Sequence, residues 1–419
     1  MDASRREMFR LGGATLASAV VPSLTACAGP PTASTARNDP NAPTLPAKAA
    51  FPGVAGKVFL NAAADHPWHV NSIAALKSYA ESKAGGSGSG ASALAKFAAL
   101  VNAGTDEVTY VPSTSMGEYL VTKSLGLPDG GGRVVTDALH FIGSFYLYEQ
   151  YRRGGLDVVT VNMDQDYRIP LAALDAAITA KTKLVAISHV SLYNGFTHDV
   201  KAVCDIAHAR GALVYADLIQ SVGSIPVDVK AMGVDFAACG TYKWLMGDFG
   251  FAFLYVNKNL LPQLRRPWYG YRQTRNFANP ILHVYPLDPP GDVPYESAQI
   301  NSVGGYFMGA FPASAVESAC AASIDWIAGV GVDRIRAYRL PMLQRLQQGL
   351  RAKGWRVVTP PETQASIVTV ACAQAAQLAP RLDPRKIVVT LRGNHARVSP
   401  SVYNDMDDVE AFLEAFGAA

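Results

Sequence analysis

Paired cysteines are missing from this chain of 419 residues, and their absence excludes two classes of site. The five cysteines form no CxxC pair and their number is odd, so neither a disulfide framework nor a zinc site is expected. Cys204 and Cys239 lie in apolar runs, which is typical of small buried side chains. No metal site is predicted elsewhere in the sequence.

Clustered charge is also scarce. The formal net charge is +3, charged residues make up 17% of the chain and apolar residues 49%. The basic residues are scattered and are not interleaved with aromatic ones, so nucleic acid is not an expected partner. The apolar content excludes the composition of a disordered chain. The length suits one large and one small domain that share a site.

The N-terminus has the pattern of an export signal rather than of a folded element. Arg5 and Arg6 precede a short apolar stretch, residues 11–21, and this arrangement resembles a twin-arginine signal. The apolar stretch is too short to span a bilayer permanently. Residues 1–28 are therefore predicted to engage the twin-arginine (Tat) translocase, and the mature protein is expected in the periplasm.

A cysteine near the cleavage point leaves two kinds of processing open. Residues 24–27 resemble a bacterial lipobox, in which Cys27 would carry a lipid and anchor the protein to a membrane. Cleavage by an ordinary signal peptidase near residues 26–28 satisfies the small-residue rule equally well. Residues 29–47 are rich in Pro, Ala, Thr and Asn and are predicted to form a disordered tether.

Seven short apolar runs, separated by helical patterns, predict the strands of one sheet. Most are continuous rather than alternating, which is typical of parallel strands buried on both faces. Because no GxGxxG motif follows the first run, a Rossmann-type nucleotide enzyme is not favoured. The predicted fold class is therefore α/β, with a mainly parallel seven-stranded sheet. The predicted strands are Val108–Val111, Arg133–Thr136, Val158–Val161, Leu184–Ile187, Ala212–Tyr215, Phe236–Ala238 and Phe251–Tyr255.

The C-terminal part has a different pattern and predicts a smaller α+β domain. Its predicted strands are residues 354–358, 366–370 and 387–391, and Asp405 is expected to cap a final helix. The mature sequence therefore divides into an N-terminal segment, a large ligand-binding domain and a small C-terminal domain. Their predicted ranges are 48–84, 85–310 and 311–419.

Asp217 and Lys243 each follow a predicted buried strand and lie 26 residues apart. Ligands bind at the carboxyl ends of strands in such sheets, so both side chains are expected to converge on one cleft. A carboxylate there needs a partner such as a pyridinium nitrogen, and helix capping is the alternative role. A lysine among apolar and aromatic neighbours would have a lowered pKa, which suits Schiff-base chemistry, although a surface lysine is the alternative.

Three stretches in this order resemble the class V aminotransferase family, whose members use pyridoxal 5′-phosphate (PLP). They are residues 188–195, Asp217-x-x-Gln220 and residues 242–245, and the resemblance extends over nearly the whole mature chain. It implies the PLP type I fold, and the members it points to are isopenicillin N epimerase-like and kynureninase-like. The signal is specific for the family and not for one reaction.

The resemblance assigns cofactor roles residue by residue. Lys243 would form the Schiff base and carry the proton at Cα, and Asp217 would pair with the pyridine nitrogen. Gln220 would lie near the phenolic oxygen of the ring, Ser188 would also lie beside the cofactor, and Tyr242 would bind the phosphate. Lys243 and Asp217 are therefore the predicted catalytic residues.

Two further stretches are predicted to contact the cofactor. Ser113, Thr114 and Ser115 stand where the family has its phosphate loop, and hydroxyls with N–H groups at a helix N-terminus make an anion site. Taken alone, this cluster is also a simple helix cap. The family stacks an aromatic ring on the cofactor at the position of His140 or Phe141, of which His140 is slightly favoured.

Residues far apart in the sequence complete the predicted site. Arg397 would bind the α-carboxylate of the substrate in a bidentate salt bridge. The alternative is that Arg397 is a surface arginine on a strand of the small domain. Asn61 is a second candidate for substrate binding. Gln299 replaces a threonine that in relatives reaches the phosphate of the neighbouring subunit, and the resemblance therefore implies a homodimer.

Two departures from the family pattern concern the reaction. Leu192 replaces a residue that is polar in many relatives, so the substrate pocket is expected to differ. Residues 386–397 lack the cysteine that desulfurases carry shortly before the closing arginine, and persulfide chemistry is therefore disfavoured.

The expected function is chemistry at the Cα of an amino acid or of an amino-acid unit in a peptide. Transamination, epimerisation and elimination share their first steps, and the sequence does not separate them. Export favours the tailoring of a secreted peptide in the periplasm. A C–S lyase and a non-catalytic binding protein on a degenerate PLP scaffold are the alternatives.

Overall fold

The structure is a computed structural model, and part of the predicted tether lies within the residues it describes. The predicted signal peptide, Cys27 and most of residues 29–47 lie outside them. Leu45 and Ala47 pack against the main core, and the Ala47 N–H donates to the Val402 carbonyl at 2.9 Å. The end of the predicted tether therefore lies against the body of the protein. The described residues are 43–88, 90–275 and 298–419.

Strands and helices alternate through the first two thirds of the described chain. The strands are β1 Val58–Phe59, β2 Val108–Val111, β3 Arg133–Asp137, β4 Asp157–Val161, β5 Thr182–Ser188, β6 Leu213–Asp217, β7 Phe236–Gly240, β8 Ala252–Val256, β9 Thr274–Arg275, β10 Ala298–Gln299, β11 Arg356–Val357, β12 Val368–Ala371, β13 Ile387–Val388, β14 Thr390–Arg392 and β15 His395–Val398. The helices are α1 Val70–Ala84, α2 Leu94–Leu100, α3 Thr114–Ser124, α4 Ile142–Arg153, α5 Leu171–Ala177, α6 Val200–His208, α7 Val229–Met232, α8 Val303–Phe307, α9 Ser314–Val330, α10 Val332–Ala352, α11 Ala379–Leu382 and α12 Met406–Phe416.

The main sheet has seven strands in the order β2-β8-β7-β6-β5-β3-β4. All neighbours are parallel except β8, which is antiparallel to both β2 and β7. This confirms the predicted mainly parallel seven-stranded sheet. Ser188 of β5 pairs with Asp217 of β6, and Asp217 pairs with Ala238 of β7. The carboxyl ends of β5 and β6 are therefore level and β7 continues for two more residues, so the residues that follow these strands lie along one edge of the sheet.

Both faces of this sheet are buried, which explains the continuous apolar runs. In β5, Val185 and Ile187 belong to the core on one face, and Leu184 and Ala186 belong to the core on the other. Successive side chains of a strand point to opposite faces, so a strand between two helix layers needs apolar residues at every position.

The small domain is built on a four-stranded antiparallel sheet in the order β11-β12-β15-β14. Helices α10 and α12 cover it, with Leu346, Leu350 and Phe412 in a shared core. The predicted strand 387–391 is two strands here, because β13 pairs with β1 while β14 pairs with β15. Leu60, which follows β1, lies in the same core.

Helix α9 packs with the large domain, although the sequence-based division places it in the small one. Its residues Cys320, Ile324 and Ile327 belong to the main core, and the helix lies along α1. Among the described residues no single helix is long and apolar enough to cross a membrane; α9 and α10 meet that test only as a pair bent by 75°.

We predict that replacing the Asp405 cap destabilises the small domain. The Asp405 side chain accepts a hydrogen bond from the Asp408 N–H at 3.0 Å at the start of α12. The Asp405→Ala variant should therefore lose about 1 kcal/mol of unfolding free energy, measured by urea unfolding followed by circular dichroism. The Asp405→Asn variant keeps the cap and should remain near wild type. Equal urea midpoints for the two variants would contradict this role.

Candidate active site

Lys243 lies on a tight loop after β7, and it is 6% exposed. The Met246 N–H donates to the Lys243 carbonyl at 2.8 Å, and the Gly247 N–H donates to the Thr241 carbonyl at 2.8 Å. A Cβ on Gly247 would lie 2.6 Å from the Thr241 Cβ, so only glycine lets the loop close this tightly. Lys243 Nζ lies 5.5 Å from the centre of the Tyr242 ring and makes no hydrogen bond to a described residue.

Lys243 and Asp217 lie close enough for their charges to interact, and burial brings their pKa values together. Burial lowers the pKa of Lys243 to about 8, against the opposing effect of the Asp217 charge. Burial raises the pKa of Asp217 to about 6, against the Ile219 N–H bond and the positive charges of His140 and Lys243. A lysine that loses its proton near neutral pH can act as a nucleophile and as a proton acceptor.

The residue after the lysine fixes the loop to the rest of the molecule. The Trp244 indole donates to Gln220 Oε1 at 2.8 Å, and Gln220 Nε2 donates to the Ala63 carbonyl at 3.1 Å. The guanidinium of Arg339, from α10, lies 5.3 Å from the Trp244 ring centre. Both ends of the Gln220 amide thus have protein partners, and a contact to the phenolic oxygen of the cofactor stays a prediction.

A buried ion pair stands beside Asp217. His140 Nε2 lies 3.0 Å from Glu118 Oε1, and His140 Nδ1 lies 2.9 Å from Ser188 Oγ. Glu118 also accepts hydrogen bonds from Ser144 Oγ at 2.5 Å and from the Tyr148 hydroxyl at 2.6 Å. These contacts hold the imidazole ring in one orientation between α3 and the end of β5.

The charges of this pair support each other. Burial acts to raise the pKa of Glu118, but the His140 charge and three hydrogen bonds outweigh it and lower that pKa. Burial acts to lower the pKa of His140, but Glu118 outweighs it and raises that pKa. Glu118 and His140 are therefore charged together, and the imidazolium stabilises the carboxylate of Asp217.

A small cradle lies at the N-terminus of α3. Thr114 Oγ1 accepts from the Gly240 N–H at 2.9 Å, and Ser113 Oγ caps the helix by accepting from the Met116 N–H at 3.1 Å. A Cβ on Gly240 would lie 3.1 Å from Thr114 Oγ1 and 3.4 Å from Cε1 of Tyr242. The missing side chain of Gly240 keeps this space open. Ser115, also predicted here, is exposed in the first turn of the helix.

Arg397 and Asn61 are brought together by a residue that the sequence analysis missed. Arg397 Nη1 donates to the Leu192 carbonyl at 3.0 Å, and Nη2 donates to Thr390 Oγ1 at 3.3 Å. The Thr390 hydroxyl donates to Asn61 Oδ1 at 2.7 Å. Arg397 is buried, which lowers its pKa to about 10, and its Nε has no hydrogen-bond partner among the described residues. An anionic ligand would satisfy this group.

Two predicted site residues stand apart from this cleft. Gln299 is exposed on β10, where its Oε1 accepts from Arg266 Nε at 3.0 Å. No described hydrogen bond joins it to another predicted site residue, so a role toward a neighbouring subunit stays a prediction. The Phe141 ring lies over Gly143, whose added Cβ would meet it at 2.4 Å. His140, and not Phe141, is joined to Ser188.

Glu118 is the main site residue that the motif comparison left without a role. It lies on the buried face of α3 with Thr114, Gly117 and Val121. That spacing is the signal that could have found it, since a carboxylate on a buried helix face needs partners. The sequence around Thr390 indicates a site residue less strongly, since a polar residue in a short strand is common.

We predict that the Glu118→Gln variant keeps the fold and loses the charge on His140. The amide can accept from His140 and Tyr148, and the Ser144 hydroxyl can turn to accept from it. The pKa of His140 is higher in the folded than in the unfolded protein. Protonated His140 therefore stabilises the wild type fully at a pH below the unfolded-state pKa, and this stabilisation is lost as pH rises through the folded-state pKa. The stability gap between wild type and variant should therefore widen as pH falls from about 8 to about 5.

Urea unfolding at several pH values measures this gap, and histidine NMR signals report the His140 charge directly. The exposed Glu149→Gln change is the control for loss of a carboxylate, because Glu149 pairs only with Arg152 and Arg153 on the surface of α4. A gap that is constant with pH, or equal in the control, would show that Glu118 does not set the charge of His140.

The site fits three of the polar regions of PLP: the ring nitrogen, the aldehyde and the phosphate. Asp217 Oδ2 accepts no hydrogen bond from a described residue, so it can hold a protonated ring nitrogen. Lys243 Nζ is available for the aldehyde, and the cradle beside Gly240 offers hydroxyl groups and helix N–H groups to the phosphate. The ring nitrogen, the aldehyde and the phosphate would therefore each meet a residue of matching chemistry.

Comparisons with known proteins agree with this geometry. Residues 89–285 match the family model described as Aminotransferase class-V. The uncharacterized aminotransferase YcbU of Bacillus subtilis (strain 168) is 28% identical over 327 residues, which is 77% of this chain and 82% of that protein. A probable cysteine desulfurase of Methanothermobacter thermautotrophicus is 28% identical over 303 residues, or 69% of this chain and 71% of that protein.

Solved structures show the same fold. The apo structure of a cysteine desulfurase from Thermococcus onnurineus NA1 has a TM-score of 0.74 at 22% identity, over 88% of this chain and 95% of its own. A cystine C–S lyase in complex with cysteine persulfide has a TM-score of 0.77 at 17% identity, over 88% of this chain and 100% of its own. The family match, the relatives and the site together identify the chain as a PLP-dependent, class V aminotransferase-like enzyme with the PLP type I fold.

Proposed function

We propose that the enzyme moves a proton at the Cα of an amino-acid substrate, with Lys243 as the group that takes and returns it. The observation that carries the proposal is a buried lysine without a hydrogen-bond partner among the described residues, with a pKa lowered to about 8, in the cleft of Asp217. The bound cofactor supplies an electron sink that makes a Cα proton acidic. Asp217 would keep the proton on the ring nitrogen that this chemistry needs.

Arg397 would hold the α-carboxylate and thereby aim the Cα–H bond at Lys243. Its two Nη atoms are already oriented by the Leu192 carbonyl and by Thr390, and its buried Nε has no partner among the described residues. A guanidinium held in this way loses little freedom when it binds a planar carboxylate. Asn61 supports the same group through Thr390.

The described cysteines do not favour sulfur transfer through a cysteine of the enzyme. Cys204, Cys239, Cys320 and Cys372 are buried, and burial raises the pKa of each thiol. A thiolate nucleophile needs exposure and a lowered pKa. None of them lies in residues 386–397, where desulfurases of the family carry theirs. We therefore propose that the products are those of transamination, epimerisation or elimination.

C–S bond cleavage by elimination is the second candidate. The structural likeness to a cystine C–S lyase favours it, because elimination from a sulfur-containing amino acid starts with the same Cα proton transfer and needs no cysteine of the enzyme. Release of a sulfur product from cystine would support this reaction over transamination and epimerisation.

We predict that the Lys243→Ala variant loses both the visible absorption of the lysine-bound cofactor and all turnover. The spectrum of the purified mature protein, before and after a panel of amino acids is added, measures the first, and product analysis measures the second. The Lys183→Ala variant is the control, because Lys183 is a partly buried lysine on β5 that donates to the Gly130 carbonyl. A wild type that stays colourless after incubation with PLP would support the binding-scaffold alternative instead.

The same proposal extends to where the enzyme acts. We propose that the twin-arginine signal of residues 1–28 exports the folded, cofactor-loaded enzyme, which resembles the isopenicillin N epimerase-like and kynureninase-like members of the family. In the periplasm it would then tailor an amino-acid unit of a secreted peptide. Lipid attachment at Cys27 would hold it at a membrane. The exposed position of Gln299 supports a homodimer in which this residue approaches the site of the neighbouring subunit.

We predict that changing Arg5 and Arg6 to lysine abolishes export of the full chain, because the twin-arginine translocase reads that pair. Cell fractionation should find the wild type in the periplasm and the variant in the cytoplasm, with equal cofactor absorbance in both. Equal distribution of the two proteins between periplasm and cytoplasm would overturn the export proposal but would not contradict the proposed reaction. Sedimentation of the mature protein as a monomer would overturn the homodimer.

A further inference from the structure

A cleft of about 310 Å³ lies between the large and small domains, beyond the predicted carboxylate site. Its large-domain wall comes from residues after β3, β4 and β5. Its small-domain wall comes from the residue after β11, from β12 and from the turn into β15. We call it the interdomain cleft. The residues that define its character are Leu139, Met163, Tyr167, Tyr193, Thr369 and His395.

Several residues that line the interdomain cleft are neighbours of Arg397 in the small sheet or in the loop that holds it. His395 lies two positions before Arg397 on β15, so their side chains point to the same face of the small sheet. Thr369 of β12 pairs directly with Arg397 in the ladder. On the other wall, Tyr193 follows Leu192, whose carbonyl holds Arg397 Nη1 at 3.0 Å. A substrate whose carboxylate met Arg397 would therefore have the cleft within reach of its remaining atoms.

Apolar and aromatic surface dominates this cleft. Asn194, which also lines it, uses its amide within the protein, since Nδ2 donates to the Tyr167 carbonyl at 2.8 Å and Oδ1 accepts from the Phe196 N–H at 3.0 Å. Met163 is 46% exposed at the mouth. An exposed thioether and two tyrosine rings around a concave space suit an apolar or aromatic ligand.

Tyr167 is held at the cleft at a cost in backbone energy. Its φ is +61°, in the left-handed region that bulky residues rarely adopt. Two hydrogen bonds close the turn: the Tyr167 N–H donates to the Asp164 carbonyl, and the Asp164 N–H donates to the Arg168 carbonyl. The Arg356 guanidinium lies 5.2 Å from the centre of the Tyr167 ring. Such strain concentrates where a side chain has a task other than packing.

One buried hydroxyl in the cleft points to a ligand. Thr369 is 2% exposed, and its Oγ1 has no hydrogen-bond partner among the described residues. A buried polar group without a partner costs stability, so such groups are normally satisfied. The ring nitrogens of His395 make no hydrogen bond to a described residue either. The cleft thus combines an aromatic lining with a buried hydroxyl that no described residue satisfies.

We propose that the interdomain cleft receives the side group of the substrate, and that this group is an aromatic ring with one polar substituent that hydrogen-bonds Thr369. The inference rests on the proposed function, because it assumes an amino-acid carboxylate at Arg397. The volume of the interdomain cleft is at the small end of the range for ligand sites, which is about 300 to 1,000 Å³. The cleft therefore suits one ring system rather than a length of peptide. Any peptide attached to the substrate would leave through the mouth beside Met163.

Equilibrium titration of the PLP-loaded enzyme with tyrosine, phenylalanine and alanine tests the proposal, with the change in cofactor absorbance as the readout. We expect tyrosine to bind more tightly than phenylalanine, and both more tightly than alanine. The Ala371→Phe variant fills the cleft from β12 and should weaken tyrosine binding by about 10-fold or more, with alanine changed by less than about 3-fold. Alanine affinity is the internal control for folding.

The Thr369→Val variant tests the hydroxyl without changing the volume of the side chain. It should weaken tyrosine binding about 3- to 10-fold and leave phenylalanine and alanine as they are. Equal affinities for the three amino acids, or variants that change all three alike, would overturn the cleft assignment while the proposed function stands. If no amino acid changes the spectrum, the proposed function fails instead. Calorimetry with 4-ethylphenol then tests the cleft alone. Tight binding that the Ala371→Phe variant removes supports the cleft assignment, and no binding overturns it.

Discussion

The burial of Lys243 and Asp217 at the carboxyl edge of the main sheet is the constraint on which the rest of the site depends. Each charge would be costly alone in this environment, and each reduces the cost of the other. Burial brings the pKa of Lys243 to about 8 and that of Asp217 to about 6. Glu118 raises the pKa of His140, and the charge of His140 opposes the rise that burial causes in the pKa of Asp217.

Both domains are needed to hold these charges in place. Lys243 is positioned through Trp244, which contacts Gln220 of the large domain and Arg339 of α10. Arg397 reaches the cleft from the small sheet, and Thr390 and Asn61 join that sheet to the N-terminal segment. A movement of the small domain would therefore change the positions of the lysine loop and of the carboxylate clamp together.

The features that were predictable from the sequence depend on local pattern. The seven strands of the main sheet follow from continuous apolar runs, and Lys243 and Asp217 follow from charged residues directly after such runs. The split of residues 387–391 into two strands was not predictable, because each half is specified by a partner elsewhere: β1 for one and β15 for the other. Thr390 lies 329 positions from Asn61, and no local pattern shows that their side chains meet. Glu118 acquires its role only when α3 and β3 place it beside His140.

The site combines residues that the main sheet positions with residues that it does not. The lysine, the carboxylate and the phosphate cradle belong to the carboxyl edge of the sheet, where the fold itself brings residues together, and they permit several reactions at Cα. Substrate choice depends on groups that the sheet does not fix, including Leu192, the strained Tyr167 loop and the small-domain strand that carries Thr369 and Ala371. In this chain those groups form an aromatic cleft against Arg397. Thr369 is buried in a largely apolar lining, and its unsatisfied hydroxyl would therefore discriminate between ligands that can and cannot bond to it.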